Sequence, residues 1–221
     1  MKKALITGGS RGIGRSIAER FSSGGYDVYT PSRDEMDLSS EESVKRFILK
    51  NSNEHFDVIV NNAGINEINL IDRITDDEIK MTVQVNLISP VMLLRAFTGK
   101  MKNNNYGRIV NIGSIWAVVS KEGRAVYSAT KNGIHGVTNS LALELAPYNI
   151  LVNTVCPGFT MTELTKKNNS EETIRRIAAE IPMKRMAEPY EIAEVVYFLG
   201  SETNTYLTGQ KITVDGGFTV K

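Results

Sequence analysis

Two residues in the run Tyr127-Ser128-Ala129-Thr130-Lys131 have the types and spacing for proton transfer. On a helix, positions four apart lie one above the other on the same face. An ammonium held there favours the phenolate and predicts a tyrosine pKa below its ordinary value of about 10. Such a tyrosine can pass a proton to or from a substrate oxygen. An exposed tyrosine beside a solvated lysine would look the same, so the rest of the chain has to decide. Near the N-terminus, Thr7-Gly8-Gly9-Ser10-Arg11-Gly12-Ile13-Gly14 follows a short apolar run and leads into a helical pattern. Glycines there let the backbone approach a pyrophosphate, and a helix N-terminus favours the anion. The spacing Gly8-x3-Gly12-x-Gly14 departs from strict GxGxxG, but a turn between a strand and a helix is the context a nucleotide site requires.

These residues need a scaffold, and the apolar pattern supplies one. Short apolar runs at 4–6, 28–30, 58–60, 108–112, 151–155 and 211–214 read as strands. Helical patterns at 13–21, 41–49, 75–101, 126–145 and 189–199 separate them. Thr75 and Glu78 form a capping-box pattern, and Pro189 suits a first helical turn. Continuous apolar strands alternating with helices predict an α/β fold, a parallel sheet covered on both faces. The polar stretch 165–173, after the Pro157-Gly158 turn, is the best candidate for a mobile lid.

Composition narrows the function. At 221 residues the chain fits one domain with a sizeable core. A net charge of +1 gives no bulk attraction to nucleic acid or to an anionic membrane. Cys156 is the single cysteine, which rules out an intrachain disulfide and a multi-cysteine metal site. His55 and His135 have no partner at metal-ligand spacing, so no metal is expected. The apolar start MKKALI stops at Gly8 with no signal-peptide core, and no run reaches the roughly 20 residues of a membrane span. A cytoplasmic setting is the expectation.

TGGSRGIG at 7–14, NNAG at 61–64, Ser114 thirteen residues before Tyr127, the Tyr127-x3-Lys131 pair and Pro157-Gly158 stand in one order. Together with the ending LTGQKITVDGG at 207–217, they resemble the short-chain dehydrogenase/reductase family along essentially the whole chain. The resemblance implies a three-layer, Rossmann-type, doubly wound sheet of about seven strands as a single domain over 1–221. It also implies a lid around 160–185, a nicotinamide dinucleotide cofactor and a homotetramer or dimer.

Carried over by position, the catalytic set is Asn86, Ser114, Tyr127 and Lys131. Ser114 would hold a carbonyl oxygen, and Tyr127 would exchange its proton. Lys131 would lower the tyrosine pKa and bind the nicotinamide ribose, and Asn86 would position a water behind it. The cofactor set is Gly8, Ser10, Arg11, Gly12, Ile13 and Gly14 in the turn; Arg33, Asp37 and Leu38 at the adenosine; Asn62, Ala63 and Gly64 beside the sheet; Tyr127 and Lys131; and Pro157, Gly158, Thr160 and Thr162 at the nicotinamide end. For Thr162 a helix-cap role is the rival reading.

Ser32 stands where NAD-preferring relatives carry aspartate, and Arg33 and Arg11 resemble the NADP pattern. NADP(H) is therefore favoured, with NAD(H) open because Asp34 or Glu35 could reach the ribose. The region after residue 33 is short for the family. The expected activity is reduction of a small-molecule ketone to a secondary alcohol. The 3-oxoacyl-carrier-protein reductase branch is the nearest in look, which makes a thioester-linked substrate one candidate, and sugar or secondary-metabolite ketones are the others. Asn105 and Tyr148 stand where carrier-docking arginines are expected. Trp116 reads equally as a substrate-facing or a core residue, and Glu122 and Arg124, in the same loop, read as surface charge, with contact to polar substrate groups as the alternative. A non-catalytic dinucleotide-binding protein is a further alternative, as is an epimerase or dehydratase, though those usually carry longer C-terminal domains.

Overall fold

The computed structural model describes residues 1–221. In chain order it runs β1 (Lys3–Ile6), α1 (Gly12–Ser23), β2 (Asp27–Tyr29), α2 (Glu41–Lys50), β3 (Val58–Asn61), α3 (Asp76–Val83) and α4 (Ser89–Asn103). It continues through β4 (Gly107–Ile112), α5 (Ala125–Leu145), β5 (Ile150–Pro157), α6 (Glu163–Asn168), α7 (Glu171–Glu180), α8 (Pro189–Gly200) and β6 (Lys211–Val214). All strand pairs are parallel, in the order β2-β1-β3-β4-β5-β6. The chain winds outward in one direction to β2 and then in the other from β3, so the order reverses between β1 and β3. Ligands bind outside the carboxyl ends of strands at such a point.

Strand periodicity explains the layers. Ala4 and Ile6 of β1, Val58 and Val60 of β3, and Val110 and Ile112 of β4 point to one face, where Ile17 and Phe21 of α1 and Ile192, Val196 and Leu199 of α8 pack on them. Leu5, Ile59, Ile109 and Val152 point to the other face, under Phe47 of α2, Leu93 and Phe97 of α4, and Leu145 of α5. Each fully buried side chain of this kind contributes about 1.5–3 kcal/mol. The sheet's middle strands are covered on both sides, and the burial of all residues in β3, β4 and β5 follows from that.

Six strands form, not about seven. Residues 30–40, between β2 and α2, fold as turns without strand or helix. That stretch is shorter than the dozen or more residues of a helical crossover, before any return strand is added. β2 therefore remains an edge, half-exposed along its length.

The helical pattern at 75–101 is one continuous rod with a flaw in it. Thr75 and Glu78 make the full capping box at its start, and Pro189 opens α8. Between α3 and α4, residues Gln84–Ile88 form a π turn that holds Asn86. Such insertions in a helix recur at functional sites. The whole rod, Asp76–Asn103, reaches membrane-spanning length, and an 18-residue window within it has a mean hydropathy of 1.2, with half of that window buried against the rest of the protein. Met92, Leu93, Leu94, Phe97 and Met101 lie in the core, which accounts for its apolar character. The polar stretch at 165–173 is occupied by two short helices, α6 and α7, neither of which buries a residue.

Candidate active site

The site grows from the carboxyl ends of β1, β3, β4 and β5. The helix that carries Tyr127 and Lys131 is fixed to the sheet by a buried polar chain. Asn61 Nδ2 donates to Asn111 Oδ1 at 2.8 Å, Asn111 Nδ2 donates to Thr138 Oγ1 at 2.9 Å, and Thr138 Oγ1 lies 2.8 Å from Thr154 Oγ1. β3, β4, α5 and β5 are thus tied in one hydrogen-bonded line, in which only Asn61 Oδ1 lacks a partner. A buried polar network of this kind fixes one packing arrangement, because slippage would leave donors unpaired.

At the end of β1, Thr7 does a second joining job. Its hydroxyl accepts from the backbone N–H of Asn62 and of Ala63, each at 3.0 Å. Asn62 Nδ2 returns bonds to the carbonyls of Thr7 (2.9 Å) and Gly8 (3.2 Å). A Cβ added to Gly14 would lie 2.1 Å from the Gly8 carbonyl oxygen and 2.4 Å from Asn62 Nδ2, so α1 can meet the turn only with glycine at that position. The start of α1 has no side-chain cap and no acidic residue in its first turn. Its unbonded N–H groups and the dipole are left for an anion. This cradle fits the pyrophosphate of a dinucleotide.

A cleft of about 340 Å³ opens beyond it. Of the residues expected from the sequence, Ile13, Asn62, Gly64, Ser114, Tyr127, Lys131, Pro157, Gly158, Thr160 and Thr162 line it. Gly8, Ser10, Arg11, Gly12, Gly14 and Ala63 lie outside the lining, in the turn and strand ends that frame it. Asn86 is buried behind it: its Oδ1 accepts from the Ile65 N–H, and its Nδ2 donates to the Ile65 carbonyl and to Thr130 Oγ1. Asn86 therefore braces the chain after β3 against α5 one residue before Lys131. A Cβ on Gly64 would come within 3.2 Å of Asn86 Oδ1 and 3.3 Å of Lys131 Nζ, so the two side chains converge on the space that glycine leaves open.

At the adenosine end, Arg33 Nε pairs with Asp37 at 3.1 Å on the surface. Hydrogen bonds from Ser39 and the Arg33 guanidinium hold the Asp37 carboxyl below its ordinary value. Leu38 is buried in the core, and its carbonyl accepts from Ser89 Oγ. Glu35 accepts from the Ser32 N–H and so is engaged within its own turn. Thr162 caps α6, accepting from the Thr165 N–H at 3.1 Å, while still lining the cleft.

Electrostatics correct one expectation. Tyr127 is pushed up, not down: burial raises it, and the Ser114 hydroxyl and the Arg124 charge only partly oppose that. Lys131 does not act on the phenol here. Its Nζ lies 5.7 Å from the Tyr127 ring centroid and donates to the Ile112 carbonyl at 2.8 Å. Burial pulls Lys131 itself down to about 8. Helical spacing placed the two residues on one face, but both are desolvated, and burial is the largest influence on each.

Four further residues take a definite place in the structure. Arg124 lines the cleft, which takes up the substrate-contact alternative over surface charge. Trp116 is both core and lining, 9% exposed and edge-to-face with Phe159 and Phe218. Thr7 joins two strand ends, and a threonine between a strand and a glycine turn was its only sequence signal. Arg108 is 3% exposed and donates to the carbonyls of Gly107, Asn149 and Asn204.

A glycine turn at the sheet's switch point, with serine, tyrosine and lysine gathered in a cleft beside it, defines a class: a dinucleotide-binding α/β oxidoreductase. The model of a family described as enoyl-(acyl carrier protein) reductase matches residues 34–219. A 3-oxoacyl-[acyl-carrier-protein] reductase from Aquifex aeolicus is 38% identical, covering 98% of this chain and 96% of the relative. Among solved structures, ElxO with NADP bound superposes with a TM-score of 0.92 at 28% identity, covering 100% and 99% of the two chains. 4-Hydroxyisoleucine dehydrogenase complexed with NADH gives 0.93 at 26% identity, covering both chains fully. The chain belongs to the short-chain dehydrogenase/reductase family, and it is an oxidoreductase.

Proposed function

We propose that this enzyme reduces a ketone to a secondary alcohol with NADPH, Tyr127 giving the proton. Ser114 and Tyr127 standing together in the cleft carry this reading. Bound NADPH supplies the hydride. As negative charge develops on the substrate oxygen, the Ser114 hydroxyl donates to it and Tyr127 delivers its proton. A phenol kept protonated by burial is poised to donate. Lys131, buried beside the cofactor cradle, is assigned to the nicotinamide ribose, and Asn86 to holding the chain and a water behind it. Arg33 favours NADPH: a ribose phosphate would take over the guanidinium that Asp37 now holds. ElxO with NADP bound supports that cofactor, and the NADH complex of 4-hydroxyisoleucine dehydrogenase keeps NADH as the alternative.

Carrier-protein relatives make a 3-oxoacyl thioester the first substrate class to test. A donor hydroxyl pair suits a carbonyl oxygen better than the carbon–carbon double bond in the family model's description. We assign α6 and α7 as the lid over the cleft: they bury no residue, yet Thr165 reaches into the lining. The cytoplasm is the proposed setting. The exposed Ile88, Val91 and Leu143 on the π turn, α4 and α5 support self-association, with a homotetramer as the proposed state. Tyr127→Phe should lower turnover by about 100-fold or more while NADPH still binds. Turnover at the parent rate in that variant would remove Tyr127 as the proton donor.

A further inference from the structure

The cleft contains two cations and no acid. Lys131 has a partner in the Ile112 carbonyl. Arg124 has none. Its Nη1 is buried without an acceptor, and its nearest charged or ionisable influence is Tyr127, not a carboxylate. Other arginines that leave solvent find acceptors, and the unpaired ones are exposed to water. Arg20 pairs with Glu194 and Arg185 with Glu191. Arg108, buried more deeply than Arg124, spends its guanidinium on three backbone carbonyls. A guanidinium half out of water, with a buried N–H lacking an acceptor, is an unfavourable arrangement that a folded chain retains where a ligand completes it.

Its position says which ligand. Arg124 precedes α5, three residues before Tyr127, and both side chains line the same cleft. Its Cζ stands 5.8 Å from the Trp116 ring centroid, on a wall that Phe159 continues. A planar fork of donors on an apolar wall, close to the reacting oxygen, matches a carboxylate carried by the substrate itself. The dinucleotide's own anions belong at the α1 end of the site.

We propose that Arg124 binds a substrate carboxylate, so that the substrate is an oxo acid and the product a hydroxy acid; this rests on the reading of the cleft as a carbonyl site served by Tyr127. A neutral ketone or a thioester would leave the guanidinium charge unmatched. The reaction is the one already assigned: hydride adds to the ketone carbon, the oxygen takes the Tyr127 proton, and the carboxylate is unchanged.

The test uses the purified enzyme with NADPH. Acetoacetate, levulinate and its one-carbon-longer homologue vary the distance between ketone and carboxylate. Each is compared with its methyl ester, and acetoacetate also with its N-acetylcysteamine thioester. The wild type should prefer at least one acid over its ester. Arg124→Met should cut that acid-to-ester ratio of kcat/KM by about 10- to 100-fold, mainly through KM. Arg124→Lys should restore part of it, and Glu122→Gln, an exposed neighbour in the loop, should leave the ratio alone. Equal losses for acid, ester and thioester in Arg124→Met would overturn the proposal, as would a wild-type preference for the esters or the thioester. If the wild type binds NADPH but reduces none of these ketones, the carbonyl-reductase reading fails. Calorimetry with butanoate on the NADP⁺ complex then decides the carboxylate site separately. Binding lost in Arg124→Met and partly kept in Arg124→Lys supports it, and binding that ignores Arg124 refutes it.

Discussion

Replacing Gly14 with alanine tests the cofactor cradle through a single methyl group. The new Cβ would stand 2.1 Å from the Gly8 carbonyl oxygen and 2.4 Å from Asn62 Nδ2. Ordinary contact begins near 3.4 Å, so α1 and the turn must part by about 1 Å: the Gly8 oxygen is backbone, and the Asn62 amide is held by its bonds to the Thr7 and Gly8 carbonyls. Overpacking of this sort costs about 1–3 kcal/mol. For a chain of this size that lowers Tm by roughly 2–12 °C. The same displacement takes the α1 N–H groups out of the 2.7–3.2 Å window for bonding a phosphate oxygen. Losing one charge-assisted bond, about 1.5–3 kcal/mol, weakens NADPH binding by roughly 10- to 150-fold. Gly99→Ala is the matched comparison. Gly99 lies in α4 with nothing within 4 Å of an added Cβ. There the exchange should stabilise by about 0.5–1 kcal/mol and leave NADPH affinity unchanged. Thermal unfolding followed by circular dichroism gives the first quantity, and quenching of Trp116 or enhancement of NADPH fluorescence gives the second. A Gly14→Ala protein with wild-type Tm and wild-type NADPH affinity would show that the turn and α1 do not form the phosphate cradle described here.

Arg33→Ala should weaken NADPH by about tenfold and NADH little, since the guanidinium is matched to the ribose phosphate; equal changes in kcat/KM for the two cofactors would contradict its role. Lys131→Met should abolish turnover yet make the protein more stable at neutral pH. The Lys131 pKa falls from 10.5 to about 8 in the fold, so below pH 8 the folded protein carries a desolvated ammonium whose removal is worth about 3 kcal/mol. The unfolded chain stays protonated up to about 10.5, so wild-type stability rises between pH 8 and 10.5 and the variant's advantage shrinks over that window. Denaturant melts at pH 7 and pH 10 measure this. An advantage that does not shrink would mean that Lys131 keeps its charge in the fold.

The six strands were each marked by a short apolar run, most plainly β3, β4 and β5, because a strand covered on both faces admits little else. The start of α3 was legible for a similarly local reason: Thr75 and Glu78 satisfy each other within one turn. Nothing local announced the π turn at Gln84–Ile88, since the same residues would be acceptable in an unbroken helix. The seventh strand was expected by resemblance and failed on arithmetic: residues 30–40 cannot hold both a helix and a return strand.

The sequence by itself determined which chemistry-bearing residues are present and in what order: the glycine turn, Asn86, Ser114, Tyr127 and Lys131. Motif spacing carries that much because it is set by covalent distance along a strand end or a helix turn. Only the tertiary structure decided what surrounds them. It placed Asn86 behind the cleft against Ile65 and Thr130, turned Lys131 toward the Ile112 carbonyl and chose the cleft over the surface for Arg124. It also reversed the direction in which Tyr127 shifts. Burial and the contacts of groups far apart in the chain set these outcomes. They depend on which segments pack together, and residue spacing does not encode that.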